Sequence, residues 1–122
     1  MNSQLKKTIK KATIEMVLLK LLSEMDMYGY QMTQELKKRS SGVYTLLEGS
    51  MYPILYRLSD KEYISFYEKN VTQRQTRIYY HLEEKGKDYL NCLMSDYHSF
   101  LDVICFLLSS QTGDTYQAKE ED

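Results

Sequence analysis

The sequence predicts a mainly α-helical chain with one small β-hairpin and a long C-terminal helix. Three apolar repeats of helical period come first, two alternating segments follow, and a heptad pattern occupies the last third. The 122 residues, 43% of them hydrophobic, are near the usual size of one domain with one core. We divide the chain into a folded domain over 1–83, a dimerisation helix over 84–110 and a polar, acidic, disordered tail over 111–122.

The first predicted helix is apolar almost all round. Ile9, Ala12, Met16 and Leu19 keep a helical spacing, and further apolar residues widen this stripe. A helix of this kind is typical of a buried central element. We expect it to end between residues 23 and 27.

Two shorter amphipathic helices follow. In the second, Tyr28, Met32 and Leu36 recur at i, i+4 and i+8, and residues 40–42 stop the pattern. The third has the spacing i, i+3, i+4, i+7 at Met51, Ile54, Leu55 and Leu58.

Pro53 locates the start of the third helix. A proline ring is tolerated in the first turn, where its missing N–H has no intrahelical acceptor, so we expect that turn to cover residues 49–53. Either Glu48 or Ser50 is the expected N-cap, and the sequence leaves this choice open.

Two strands are predicted next. Apolar residues alternate with more polar ones at Ile64 and Phe66, and then at Ile78, Tyr80 and Leu82. Residues 68–77 between them are polar and have no apolar period. We therefore expect a hairpin with a long basic tip.

The last helix carries the clearest periodic signal. Heptad a and d positions are occupied by Leu90, Leu93, Tyr97, Phe100, Ile104 and Leu107. Met94, Leu101 and Leu108 widen this face beyond what one small core covers. We predict that the six heptad residues form the seam of a homodimer; the alternative, packing onto the chain's own domain, uses only part of the face.

The net charge of −1 conceals two halves of opposite sign. Residues 1–82 contain 13 Lys and Arg against 8 Asp and Glu, giving +5, whereas 83–122 contain 3 against 9, giving −6. A polyanion is expected to dock on the basic part. The lysines near the N-terminus add sequence-independent attraction to it, or are simply solvated: Lys6, Lys7, Lys10 and Lys11.

Several classes of protein are disfavoured. We find no nucleophile motif, glycine-rich phosphate loop or metal-ligand cluster, so we expect neither an enzyme nor a cofactor or metal. Cys92 and Cys105 lie 13 residues apart on one predicted helix and cannot join each other. The sequence lacks the pattern of a signal peptide, and its richest apolar stretch, 16–22, is too short to span a membrane, so we expect a cytoplasmic protein.

The order of elements matches a winged helix-turn-helix plan with an added dimerisation helix. In that plan the second helix crosses the phosphates, the third enters the major groove, and the hairpin, or wing, reaches an adjacent groove or backbone. A dimer repeats these contacts at two half-sites of a pseudo-palindromic operator.

Three blocks in the expected order resemble a known family. They are Tyr-Gly-Tyr-Gln-Met at 28–32, Glu-Gly-Ser-Met-Tyr-Pro-Ile-Leu-Tyr-Arg-Leu at 48–58 and Arg-Ile-Tyr-Tyr-His-Leu at 77–82. The chain resembles the PadR family of bacterial transcriptional regulators over residues 8–90, and its short C-terminal part is similar to the compact subgroup that dimerises through the last helix. The resemblance implies a repressor that responds to phenolic or flat lipophilic compounds.

The predicted contacts with DNA lie on the second and third helices and the wing. The full set is Tyr30, Ser50, Tyr52, Tyr56, Arg57, Arg74 and Arg77. Short polar and phenolic groups at the start of the third helix reach phosphates or base edges, and the arginine fork suits phosphate. For Arg57 a pair with an acidic neighbour is an equal alternative.

An effector pocket is predicted at the seam. In compact members an aromatic residue of the last helix faces a pore between subunits, and the matching position is Tyr97. Around it, flexible apolar side chains would suit a small aromatic or lipophilic effector: Met16, Leu90, Met94 and Leu101. The alternative is that Tyr97 only packs in the seam.

Three departures from the family pattern bear on DNA binding. Ser50-Met51 stands where members have Thr-Leu, Glu62 where they commonly have Gly before the wing, and Thr76-Arg77 where they have paired arginines. The reduced wing charge keeps a second function open, a winged-helix protein-interaction module that does not bind DNA.

Overall fold

Four helices and three strands make up the described structure. A computed structural model describes residues 4, 9–10 and 13–118. The elements, in chain order, are α1 Ile14–Glu24, β1 Met27–Tyr28, α2 Gly29–Arg39, α3 Glu48–Asp60, β2 Ile64–Thr72, β3 Gln75–Leu82 and α4 Glu84–Ser109. The predicted winged-helix fold with a long C-terminal helix is confirmed.

The core is built around α1. Leu18 and Leu19 of this helix are fully buried, and they share one cluster with Met32 of α2, Leu55 of α3 and Leu90 of α4. The wide apolar stripe predicted for α1 is explained by these neighbours on several sides. Ile9, assigned to that stripe from the sequence, lies outside α1 and is exposed, and Ala12 lies outside the described residues.

The sheet has three antiparallel strands in the order β1-β3-β2. β1 was missed from the sequence because two residues are too few to show an alternating pattern. Met27 of β1 faces Tyr80 of β3 across the ladder, and Ile64 of β2 faces Leu82.

The wing is longer, and its tip shorter, than the sequence predicts. The ladder continues through Asn70 opposite Thr76 and, after an irregularity, Thr72 opposite Gln75, so the turn holds only residues 73–74. The prediction of a long basic loop over 68–77 was wrong. Beyond the core both faces of these strands meet solvent, so their side chains carry no apolar period.

α3 begins at Glu48, one residue before the predicted first turn. Its N-cap is Leu47, whose carbonyl accepts from the N–H groups of Ser50 and Met51, so neither proposed side chain caps the helix. Pro53 lies in the second turn and removes the N–H that the carbonyl of Gly49 would otherwise accept. Gly49 is exposed, so water can satisfy that carbonyl.

A Schellman motif ends α3 and starts the wing. The N–H of Glu62 donates to the carbonyl of Ser59 and the N–H of Tyr63 to that of Leu58, both at 3.0 Å. This geometry puts Glu62 at φ 65°, in the left-handed region that favours glycine. The departure from the family pattern at Glu62 therefore has a conformational cost.

Replacing that residue by glycine is expected to stabilise the chain. Glu62→Gly relieves the Cβ crowding of the left-handed conformation and should raise the free energy of unfolding by about 1 kcal/mol. Thermal melts at one fixed chain concentration measure the change. Glu62→Ala keeps the crowding and should show no such gain; equal gains in both variants would assign the effect to the lost charge instead.

α4 is attached to the domain only at its N-terminal end. Gly86 and Leu90 are its buried residues, the Tyr89 ring stacks on Tyr63 with centroids 4.2 Å apart, and a hydrogen bond with Glu15 raises the pKa of Tyr89 to about 12. Past Met94 its large apolar side chains are half-buried or exposed. The C-terminal half thus presents an uncovered apolar face.

By length and composition alone, α4 could also cross a membrane, and none of the qualifying window is buried within the protomer. Its apolar and charged residues are nevertheless unevenly distributed around the helix axis. At 100° per residue, Leu93, Tyr97 and Ile104 share one face, Asp102 lies on the opposite face and Asp96 borders the apolar stripe. A charge facing lipid is costly, so this amphipathic pattern favours a partner helix over lipid.

The segment after α4 has no helix or strand through residue 118. Its Tyr116 ring nevertheless meets Phe106 edge to face, with centroids 5.6 Å apart, and Gln111 and Asp114 close a turn. This part of the predicted disordered tail therefore packs against the end of α4, while residues 119–122 lie outside the described residues.

Candidate DNA-binding surface

α3 presents three different surfaces. Met51, Leu55 and Leu58 pack into the core. Tyr52 and Tyr56 lie on the flank that faces the wing, where they line a common groove. The predicted contacts on α3 are therefore divided between this flank and the opposite one, described below.

Tyr30, Tyr52 and Arg77 surround one cleft. It has a volume of about 400 Å³ and lies where the start of α2, the start of α3 and β3 meet. Three elements distant in sequence thus bring two phenols and one guanidinium together. Two phenols and a guanidinium gathered in one cleft suit contacts to one stretch of nucleic acid backbone.

An aromatic platform supports Arg77. Its guanidinium lies 4.3 Å from the centroid of the Tyr28 ring, and Tyr28 in turn meets Tyr79 edge to face at 5.5 Å. Stacking on a ring fixes the plane of the guanidinium. The group keeps its charge, and its N–H donors remain available to a ligand. From the sequence, Tyr28 belongs to the apolar repeat of the second helix and to the first family block, and neither shows this role.

Tyr52 and Tyr80, two phenols that line the cleft, keep their protons at neutral pH. Burial, reinforced by the charge of Glu48, raises the pKa of Tyr52. Burial, with a contribution from Tyr52, also raises the pKa of Tyr80. Tyr52 can therefore act as a neutral hydrogen-bond donor to phosphate.

Gly29 makes room for the Tyr52 hydroxyl. A Cβ at residue 29 would lie 2.6 Å from that oxygen and 3.0 Å from the terminal methyl carbon of Met51. The glycine at the start of α2 thus sets how closely α2 and α3 approach each other. It is a positioning feature that periodicity could not reveal.

Ser50 and Arg57 occupy the other flank of α3, together with Lys10. These three residues line a separate cavity of about 510 Å³, and Lys10 Nζ donates to the Thr45 carbonyl at 2.6 Å. Within residues 13–118, Arg57 takes part in no ion pair. The other N-terminal lysines, Lys6, Lys7 and Lys11, lie outside the described residues.

Arg74 stands exposed in the turn at the tip of the wing, next in sequence to Gln75, which lines the cleft. Nearer the domain, the wing's outer face carries a second cation over an aromatic ring, with Lys69 Nζ 5.1 Å from the Tyr79 centroid. The wing therefore supplies three cations, Arg74 in the turn and Lys69 directly opposite Arg77 in the ladder.

Asp26 ties the base of the wing to the end of α1. The Tyr67 hydroxyl donates to one carboxylate oxygen at 2.7 Å, and His81 Nδ1 lies 2.7 Å from the other. Partial burial works against ionisation of Asp26, but these two hydrogen bonds and nearby positive charge outweigh it and lower the pKa below its usual value.

Removing the charge at Asp26 is expected to loosen the wing in a pH-dependent way. A depressed carboxyl pKa contributes stability that is present above 3.8 and is lost as the pH falls through the folded-state value. Asp26→Asn should cost about 1 kcal/mol of unfolding free energy at pH 7, discounted for exposure. In denaturant titrations the deficit should shrink below pH 4; a deficit that stays constant would contradict the assignment.

The six predicted seam residues differ in burial. Leu90 belongs to the protomer's own core, Leu93 and Ile104 are half-buried, and Tyr97, Phe100 and Leu107 are exposed. Of the other predicted pocket residues, Met16 and Met94 pack at the edge of the core and Leu101 is exposed. The predicted pocket thus extends from the core edge onto the uncovered face of α4.

Comparison with known proteins agrees with this architecture. Residues 18–92 match the Transcriptional regulator PadR-like family. An uncharacterized protein of Lysinibacillus sphaericus is 31% identical over 91 residues, covering 75% of this chain and 84% of that protein.

Solved structures show the same likeness. A PadR family transcription regulator from Clostridium difficile has 30% identity and a TM-score of 0.70, covering 80% of this chain and 99% of its own. One from Eggerthella lenta superimposes with a TM-score of 0.81 over 89% of this chain and 93% of its own, at 22% identity, where the likeness shows the fold alone. Since the family match covers more than half of the sequence, the chain belongs to the PadR-like family of transcriptional regulators.

Proposed function

We propose that the protein is a cytoplasmic repressor that binds a pseudo-palindromic operator as a homodimer. Members of its family are transcription regulators rather than enzymes, and they bind DNA. The observation that carries the proposal for this chain is the convergence of Tyr30, Tyr52 and Arg77 on one cleft beside α3.

In this proposal α3 enters the major groove. Tyr52 and Tyr56 contact the DNA from one flank and Ser50 and Arg57 from the other, so each side of the helix faces one wall of the groove. Tyr30 reaches a phosphate from the start of α2. Arg77 and Arg74 follow the backbone along the wing, toward the adjacent minor groove.

The homodimer forms through the exposed face of α4. Tyr97, Phe100 and Leu107 are large apolar residues left open to solvent by the protomer, on a helix too long for its own domain to cover. Two such helices bury each other's stripes in a left-handed pair. Dimerisation sets the distance between the two copies of α3 and hence between the half-sites.

A small phenolic or lipophilic effector is proposed to release the operator from a pocket at this seam. Its walls are Met16, Leu90, Met94, Tyr97 and Leu101. Thioether and aromatic side chains adapt to flat apolar molecules. Binding favours one separation of the two α4 helices, and the operator favours another, so the two ligands oppose each other.

The wing arginines provide a direct test. Arg74→Ala combined with Arg77→Ala removes two phosphate contacts, so the slope of log affinity against log salt should become shallower by about 2 on any duplex. Fluorescence anisotropy with a labelled duplex at several salt concentrations measures the slope.

The matched control changes charge by the same amount elsewhere. Lys20→Ala with Lys87→Ala removes two exposed lysines whose partners are Glu24 and Glu84, distant from the cleft. This pair should leave the slope unchanged. If the arginine variant behaves like the control, or the unaltered chain binds no DNA, the protein-interaction module replaces the repressor as the better account.

A further inference from the structure

A groove lined by aromatic rings runs between α3 and the wing. Tyr52 and Tyr56 form one wall, and Phe66, Ile78 and Tyr80 form the other, around a volume of about 500 Å³. Sites for small organic molecules have volumes of this order. Phe66 is 61% exposed and Tyr56 is 75% exposed, so the protomer leaves these rings uncovered.

An unpaired hydroxyl lies at the inner end of this groove. The Oγ atom of Ser59 is shielded from solvent and has no hydrogen-bond partner among the described residues. Ser59 lines both the groove and an adjoining cavity of about 590 Å³. A buried hydroxyl without a partner is costly, so the packing beside the groove is incompletely satisfied.

The groove and the adjoining cavity together are strongly acidic. Their walls contain one lysine and four carboxylates, namely Lys85 and Asp60, Glu62, Glu83 and Glu84. Two of the carboxylates are engaged, because Glu83 accepts from the Ser65 hydroxyl and Glu84 pairs with Lys87. Asp60 and Glu62 form no ion pair within the described part of the chain.

We propose that this groove binds a planar aromatic cation. Its ring system would lie among Tyr52, Tyr56 and Phe66, and its ammonium group would lie at the acidic end, nearest to Asp60. Carboxylates and the faces of aromatic rings both attract a cation, whereas the same surroundings repel an anion. The site lies within one protomer and is separate from the pocket proposed at the α4 seam.

Occupation of the groove also opposes DNA binding. Tyr52 and Tyr56 belong to both surfaces, so a molecule held between α3 and the wing engages the two phenols that are proposed to contact DNA. This consequence rests on the proposed function, whereas binding of the cation does not. The two are therefore measured separately.

Three indole compounds of one shape but different charge test the site on the free protein. They are tryptamine, which is cationic, tryptophol, which is neutral, and indole-3-propionate, which is anionic. The chain contains no tryptophan, so indole fluorescence anisotropy reports the bound ligand alone. Tryptamine should bind tightest, about tenfold more tightly than the anion.

Two variants locate the site. Phe66→Ala removes an exposed wall and should weaken tryptamine binding about tenfold, and Asp60→Asn should weaken it about fivefold while leaving tryptophol unaffected. The matched controls are Tyr97→Ala, an aromatic residue outside the groove, and Asp96→Asn, the same charge change on α4. Neither control should alter binding.

The outcomes divide clearly. Equal affinity for the three compounds, no binding, or a loss caused by Tyr97→Ala rather than Phe66→Ala overturns the proposed site. In a second assay, tryptamine should displace a labelled duplex from the unaltered protein, and Phe66→Ala should require about tenfold more of it. Binding without displacement supports the site and refutes only its competition with DNA.

Discussion

Placing two glutamates on the uncovered face of α4 is expected to convert the protein to a monomer and to abolish tight operator binding. Phe100→Glu with Leu107→Glu puts four negative charges into the proposed two-helix seam, where neither water nor a counter-charge is available. Both positions are exposed in the protomer, at 65% and 59%, so the domain itself should still fold. Sedimentation equilibrium measures the mass in solution.

Loss of the dimer should weaken operator binding at least a hundredfold. A monomer contacts one half-site only. In the dimer, binding at one half-site raises the effective concentration of the second protomer at the other half-site, and the monomer loses this gain in affinity. Binding to nonspecific duplex, measured per protomer, should change far less. This difference separates loss of the dimer from damage to the DNA-binding surface.

A control variant has the same charge and the same seven-residue spacing. Cys92→Glu with Ser99→Glu places two glutamates on exposed positions of α4 that face away from the apolar stripe. It should remain a dimer with unaltered operator affinity. A dimer that survives Phe100→Glu with Leu107→Glu would show that the seam lies elsewhere.

Gly86→Ala is expected to destabilise the folded domain strongly. A Cβ there would overlap the Tyr63 carbonyl oxygen and lie 2.6 Å from the Leu82 Cδ1 atom. The same carbonyl accepts the N–H of Glu83 at 3.0 Å, so the backbone cannot retreat without losing the contact that fixes the start of α4. The expected cost is about 3 kcal/mol of unfolding free energy.

Gly49 provides the comparison, since it also lies in the first turn of a helix. A Cβ at this position meets no atom within 4 Å. Gly49→Ala should therefore stabilise α3 by about 0.5 kcal/mol through backbone entropy alone. Denaturant unfolding of both variants measures the contrast, and a similar loss in the two would contradict the close-approach explanation.

The sequence predicted the elements whose pattern repeats often enough to be recognised. α4 repeats its heptad spacing over most of its length, and the buried face of α1 is wide, so α4 and the end of α1 were placed correctly. β1 has two residues, and the outer part of the wing has solvent on both sides, so neither has a pattern. The start of α3 was misplaced because we expected Pro53 to lie in the first turn. It lies in the second turn instead, where the carbonyl of Gly49 is exposed and accommodates the proline ring.

The candidate site was predictable residue by residue but not in its arrangement. Tyr30, Tyr52 and Arg77 were named from the sequence, yet their meeting in one cleft depends on how α2, α3 and β3 pack. Tyr28 beneath Arg77 and Gly29 beside Tyr52 act only through these tertiary contacts. The sequence likewise could not show that Ser50 and Arg57 lie on the flank of α3 opposite Tyr52.

The most direct test of a dimeric operator-binding protein is selection of duplexes from a random pool by the intact chain. We expect enrichment of an inverted repeat whose half-site centres lie about one helical turn, or a multiple of it, apart. The selected duplex should bind two chains, with an affinity that falls as salt rises. A pool that shows no enrichment after repeated rounds, or a single half-site bound by one chain, would contradict the account.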